Sequence, residues 1–235
     1  MNKKIFKAAF PLTIPVMAGY LFLGAAFGIL LQSKGYHVIW AFLMSFTIYA
    51  GSMQFVAVDL LAGGATLIST ALMTLMVNAR HLFYGLSMLG KYKDTGKKKP
   101  YLIFALTDET YSLTTTAKPP EGIDKGWFYF TISLLNQLYW ITGSMAGAFL
   151  GSVIAFNTKG IDFVMTALFV TIFMEQWLST KEHRPALIGV IVSIICLVIF
   201  GAQNFIIPAM IAITIVLLIM KNTMERKDTT NADTN

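Results

Sequence analysis

The chain is a succession of apolar runs, each close to the thickness of a bilayer. Read against glycine, proline and charged breakers, they fall at residues 12–32, 38–62, 65–89, 100–117, 127–151, 161–180, 185–201 and 204–220. A helix needs about 20 such residues to cross roughly 30 Å of hydrocarbon. Hydrocarbon offers backbone groups no solvent partner, so segments of this kind fold as helices that satisfy themselves. Only 13% of residues are charged, against roughly 25% in soluble domains. The expected fold class is an all-α integral membrane protein. Residues 1–220 are expected to form a single polytopic membrane domain, and 221–235 a polar, disordered cytoplasmic tail.

Two runs depart from the pattern. Segment 38–62 carries Ala50-Gly51-Ser52-Met53-Gln54 near its centre, and segment 100–117 is short, threonine-rich and holds Asp108-Glu109. Both read as broken or re-entrant elements, tolerated at membrane depth where they are buried in protein or line a cavity. Basic residues test the arrangement, because lysine and arginine accumulate on the cytoplasmic side. If both segments dip in and return, the clusters at 3–7, 91–99, 118–125, 181–184 and 221–227 all face the cytoplasm. Those clusters hold 15 of the 18 basic residues. The expectation is about six transmembrane helices plus two re-entrant segments, multi-pass, with N- and C-termini cytoplasmic. The rival has eight full spans and moves the lysines at 91–99 outside.

The net charge of +6 lies in short clusters between apolar runs, which reads as topology rather than nucleic-acid binding, and no nucleic acid is expected. Met1 to Lys7 is basic, but the following run is too long for a cleavable signal and continues as a span. A single cysteine, Cys196, allows no disulfide scaffold and no metal cluster. No Gly-x4-Gly-Lys-Ser/Thr loop occurs, so nucleotide hydrolysis by this chain is not expected. No cofactor is implied. Gly24 and Gly28, and Gly143, Gly147 and Gly151, recur at four-residue spacing, which lets helix backbones approach closely in lipid.

Polar residues inside apolar runs are the candidate site. Arg80 lies deep in 65–89, where a guanidinium costs several kcal/mol unless it meets an internal partner, a ligand or water. Its planar fork suits a carboxylate. Asn78 and His81 share a helix face beside it, and His81 is a possible proton carrier. Asp108 and Glu109 are adjacent, so on a helix they point about 100° apart. One can pair with Arg80 while the other takes a substrate ammonium or a proton; which does which is open. Gly51 and Ser52 can open a helix and free backbone groups, with Gln54 beside them, for a zwitterion. Asn136-Gln137 with Tyr139 and Trp140 either line the same cavity or bond between helices. Asp162 and Glu175 lie near opposite ends of the run 161–180.

The motifs Pro15-x3-Gly19-Tyr20-x3-Gly24-x-Ala26-Phe27-Gly28, Tyr49-Ala50-Gly51-Ser52-Met53-Gln54-Phe55, Asn78-Ala79-Arg80-His81-x2-Tyr84-Gly85 and Thr107-Asp108-Glu109-Thr110-Tyr111 occur in that order. Trp140-x-Thr142-Gly143-x3-Gly147 and Gly160-x-Asp162-Phe163-x3-Ala167-x-Phe169 follow. Over about residues 6–220 the chain resembles the AzlC-type branched-chain amino acid export family. The resemblance implies a permease of the bacterial cytoplasmic (inner) membrane that exports leucine, isoleucine or valine with a small AzlD-type membrane subunit. Ala79 and Met53 depart from the residues common in that family, and neither removes a polar group.

The leading expectation is a secondary, proton-coupled exporter of aliphatic amino acids. Arg80, Asn78, Gly51, Ser52, Gln54 and Asn136 bind substrate, and Asp108, Glu109 and His81 serve proton coupling. One methylene is worth only about 1–3 kcal/mol in an apolar pocket, so methionine joins the substrate list. The alternatives are a channel or scaffold subunit of a transport complex, and an intramembrane hydrolase using Ser52 and His81. The hydrolase lacks a Gly-x-Ser-x-Gly elbow and a ligand cluster, and an enzyme is not expected.

Overall fold

A computed structural model describes residues 3–154, 182–201 and 208–220, with residues 163, 166–167, 170–171, 173–174, 177–178 and 205. Asp162, Glu175, much of the run 161–180 and the tail 221–235 lie outside the described residues. The chain divides into two compact units, Met1–Phe169 and Val170–Asn235. Every regular element among the described residues is helical.

The first unit contains α1 (Lys3–Ser33), α2 (Val38–Thr47), α3 (Gly51–Ala62), α4 (Leu67–Met88), α5 (Lys99–Phe104), α6 (Asp108–Thr116) and α7 (Lys125–Val153), with a 3₁₀ turn at Gly96–Lys98. Both abnormal segments are broken. The run 38–62 is two helices separated at residues 48–50, and 100–117 is two short helices separated at residues 105–107. Tyr49 in the first break has φ 44°, a left-handed backbone that costs a non-glycine residue about 1–2 kcal/mol. It is the one such non-glycine residue among those described.

By length and apolarity, α1 is the one described helix that qualifies to cross a membrane. Its 31 residues rise about 46 Å. Helices α4 and α7 have spanning length with more polar sequences. The unit buries polar side chains among its apolar cores and exposes large apolar ones. Thr13, Ser45, Gln54, Thr110, Thr131, Ser133, Asn136 and Ser144 are fully enclosed, whereas Leu67 is 90% and Phe22 71% exposed. Exposed apolar surface on this scale suits lipid rather than water.

Helices α1 and α7 meet backbone to backbone along the glycine stripes. A Cβ on Gly24 would come within 3.0 Å of Ser144 N and Trp140 O, and one on Gly143 within 2.8 Å of Tyr20 O. On Gly28 it would overlap Ser144 O, and on Gly147 it would overlap Ala25 O. The four-residue spacing thus serves packing within the chain. Tyr20, Phe27, Phe55 and Trp140 close one apolar core over this contact, and Tyr92, Leu102, Phe128 and Tyr129 form a second.

A short stretch of α7 holds all four half-helices. Asn136 Nδ2 donates to Thr110 Oγ1 of α6 at 3.0 Å. Gln137 donates to Phe46 O at the end of α2 (3.2 Å) and accepts from Tyr101 Oη of α5 (2.7 Å). Trp140 Nε1 donates to Gln54 Oε1 of α3 at 2.9 Å.

The segment 100–117 ends where it began. Lys91 Nζ donates to Thr115 O and Ala117 O at 2.7 and 3.3 Å, capping the C-terminus of α6, and lies over the Tyr129 ring. Lys98 Nζ lies 3.9 Å from Asp124 and 4.5 Å above the Trp127 ring. Burial, with Lys118 and Lys125 nearby, holds the Lys91 ammonium below its ordinary range. The lysines before and after the segment therefore share one region.

In the second unit, α8 (Arg184–Phe200) opens with Pro185 in its first turn and stops at Gly201, whose φ of +73° suits glycine. Helix α9 spans Pro208–Met220.

Candidate functional site

The site assembles where the two breaks face the middle of α4. Helix α3 begins at Gly51 with no side-chain cap from Ala50, leaving its first amides to other partners. Helix α6 begins at Asp108, and Thr107 Oγ1 caps it by accepting from Thr110 N at 3.2 Å. Two helix N-termini, each carrying partial positive charge, thus bracket the site.

Arg80 is the centre. Its Nη2 donates to Ser52 Oγ and lies 3.0 Å from Asp108 Oδ2. Arg80 and Asp108 are 21% and 26% exposed, so the pair is neither sealed nor freely solvated. Tyr84, one turn along α4, donates to Asp108 Oδ1 at 2.7 Å. The Tyr84 ring stacks on Tyr111 with centroids 4.2 Å apart and meets the His81 ring edge-on at 5.8 Å. Arg80 Nε and Asn78 Oδ1 are buried with no hydrogen-bond partner among the described residues.

Glu109 points to a different neighbour. Its Oε2 accepts from Tyr20 Oη of α1 at 2.6 Å, and that phenol also lies 2.5 Å from Thr107 Oγ1. Thr107 Oγ1 donates to Thr110 Oγ1 at 3.0 Å, which receives the Asn136 amide. The question left open between the two carboxylates has a structural answer: Asp108 pairs with Arg80, and Glu109 faces Tyr20.

Of the residues singled out from sequence, Arg80, Ser52 and Asp108 meet directly, with Asn78 and His81 on the same stretch of α4. Gly51 packs under Trp140, where a Cβ would come within 3.1 Å of the ring. Gln54 is fully buried between Trp140 and Ser45, and Asn136 is buried against Thr110. Gln54→Ala is therefore expected to destabilise the fold by about 1–3 kcal/mol, since it leaves the buried Trp140 N–H without an acceptor. Thermal unfolding of the purified protein in detergent checks this. Ser52 Oγ is engaged by Arg80; no Ser52–His81 hydrogen bond occurs among the described residues. Those residues also contain no cluster of three metal-ligating side chains. Tyr20 and Tyr84 were not singled out as site residues. Tyr84 lies four residues from Arg80 and so on its helix face, a usable signal; Tyr20 in an apolar helix gives none.

The family model described as AzlC protein matches residues 15–154. A Bacillus subtilis protein named branched-chain amino acid transport protein AzlC is 52% identical over 97% of this chain and 92% of its own length. A Helicobacter pylori protein named uncharacterized membrane protein is 44% identical over 94% of this chain and 97% of its own. The Escherichia coli inner membrane protein YgaZ is 25% identical over 74% of this chain and 73% of its own. No solved structure matches the chain.

Proposed function

The chain belongs to the AzlC family, and from that premise we propose that it exports branched-chain amino acids across the bacterial inner membrane, coupled to protons and aided by a small AzlD-type membrane subunit. The transport name of the B. subtilis relative supports the substrate class, and the inner-membrane name of the E. coli relative supports the location. The return of 100–117 to its starting region supports a re-entrant α5–α6 hairpin, one of the two re-entrant segments that the six-span arrangement with cytoplasmic termini requires. On this reading residues 1–220 are one polytopic membrane domain.

One observation carries the binding mode. Arg80 uses a single nitrogen, Nη2, for both Ser52 and Asp108, while its buried Nε has no partner among the described residues. That Nε–H lies on the same edge of the planar group as Nη2 and is a charged donor suited to a carboxylate oxygen. We assign that Nε donor to the substrate carboxylate, assisted by Asn78 and the uncapped N-terminus of α3 at Gly51 and Ser52. Asp108 receives the substrate ammonium, with His81 beside the same turn. Gln54 and Asn136 support the site from behind, holding the first turns of α3 and α6 in place.

Leucine efflux from preloaded cells tests the proposal. Efflux should require this chain and its small partner, collapse with a protonophore and disappear in Arg80→Gln. Absence of leucine, isoleucine, valine and methionine efflux from cells holding both chains would refute the substrate assignment. Non-saturable flux indifferent to the protonophore would identify a channel instead.

A further inference from the structure

The two adjacent carboxylates have different hydrogen-bond surroundings. Asp108 receives only donors: the Arg80 guanidinium at 3.0 Å and the Tyr84 hydroxyl at 2.7 Å. Both contacts present a donor to the carboxylate, so Asp108 acts as an acceptor on each side. Glu109 meets no arginine or lysine within ion-pair distance among the described residues, and its close partner is the neutral phenol of Tyr20. The titratable and charged groups facing it are Tyr20 on α1, Tyr49 in the break before α3, Arg80 on α4 and neighbouring Asp108.

Tyr20 begins a chain of hydroxyls that can be satisfied in two directions. Its Oη lies 2.6 Å from Glu109 Oε2 and 2.5 Å from Thr107 Oγ1, and either oxygen of the Tyr20–Thr107 pair can be the donor. With Glu109 ionised, Tyr20 donates to the carboxylate and Thr107 donates to Tyr20. With Glu109 protonated, its new O–H donates to Tyr20, Tyr20 donates to Thr107, and Thr107 donates to Thr110, 3.0 Å further on. Rotation of hydroxyls alone converts one pattern to the other, and neither leaves Glu109, Tyr20 or Thr107 unsatisfied. A buried polar group that lost its partner would cost about 1–3 kcal/mol, so an environment accepting both states is unusual for a purely structural carboxylate.

We infer that Glu109 carries the coupling proton, with Tyr20 and Thr107 as positioning residues that accommodate both of its protonation states, while Asp108 stays with the substrate headgroup. The inference deepens the proton-coupled exporter reading and rests on it. The step is one proton transfer. An O–H bond forms at the Glu109 carboxylate as one breaks in a hydronium ion, leaving water, and the reverse occurs on the opposite side. Nothing is oxidised or reduced.

A test independent of substrate separates this inference from the transport reading. Infrared difference spectra of the purified full chain in lipid, between mildly acidic and alkaline buffer, report the carbonyl stretch of any carboxylic acid that gains a proton. The wild-type protein should show such a band in the buried-acid region, Glu109→Gln should lack it, and Tyr20→Phe should move it to higher wavenumber. A band that survives Glu109→Gln, or no band in the wild type, overturns the inference. In membrane vesicles holding both subunits, Glu109→Gln should lose leucine accumulation driven by a pH gradient; accumulation at the wild-type level would also overturn it. Failure of the wild type to move leucine would instead count against the transport reading, leaving the infrared result to decide the role of Glu109.

Discussion

Arg80→Lys is expected to raise the half-saturating leucine concentration in membrane vesicles by at least tenfold. Lysine keeps the positive charge but loses the planar fork. A single ammonium cannot reproduce the shared Nη2 contact to Ser52 and Asp108 together with a separate Nε donor for a carboxylate. Hydrogen bonds to charged groups are worth about 1.5–3 kcal/mol each, and each 1.4 kcal/mol is a factor of about ten in affinity. Arg80→Gln should be more severe. It leaves the partly buried Asp108 carboxyl supported by Tyr84 alone, and flux should fall to background. Unchanged half-saturation in Arg80→Lys would rule out recognition of the carboxylate by the Arg80 guanidinium.

The second large effect is expected far from any ligand. Gly147→Leu should prevent accumulation of folded protein, because the first added carbon would overlap the Ala25 carbonyl of α1. Backbone cannot swing aside as a side chain can, so the cost should exceed the roughly 1–3 kcal/mol typical of an overfilled core. Gly28→Leu should behave alike, facing Ser144 O and Ala148 N from the other helix. Gly19 is the matched control: a Cβ there meets nothing within 4 Å, and Gly19→Ala should be neutral or stabilise α1 by up to about 1 kcal/mol. Yield of monodisperse protein and thermal unfolding in detergent distinguish these outcomes. Loss of α1–α7 packing should also remove transport, since Tyr20 and Trp140 reach the site from those helices.

Much of this architecture was legible because lipid leaves few ways to be polar. Gly51-Ser52 and Asp108-Glu109 are out of place in apolar runs, and both mark real interruptions of the helices. The four-residue glycine spacing marked the contact between α1 and α7. Asn136 and Gln137 read as cavity lining or, more safely, as interhelical ties, and they are ties to α6, α2 and α5.

Other features had no local signal. Which carboxylate meets Arg80 depends on where α6 starts, and that is set by the Thr107 cap and the Asn136 contact from α7. A one-residue change of start would turn the pair by about 100°, placing one carboxylate where the other now sits. Tyr20 meets Glu109 across a separation of 89 residues, a pairing no spacing rule reaches.

The central claim is that Arg80 grips the carboxylate of an aliphatic amino acid. Its most direct test is competition against labelled leucine in vesicles containing this chain and its small partner, using unlabelled leucine and leucine amide. The amide keeps the side chain and the ammonium and lacks only the carboxylate. Leucine should compete fully while the amide fails at concentrations at least tenfold higher. Equal competition by the two would contradict the account, because recognition would then not involve the carboxylate.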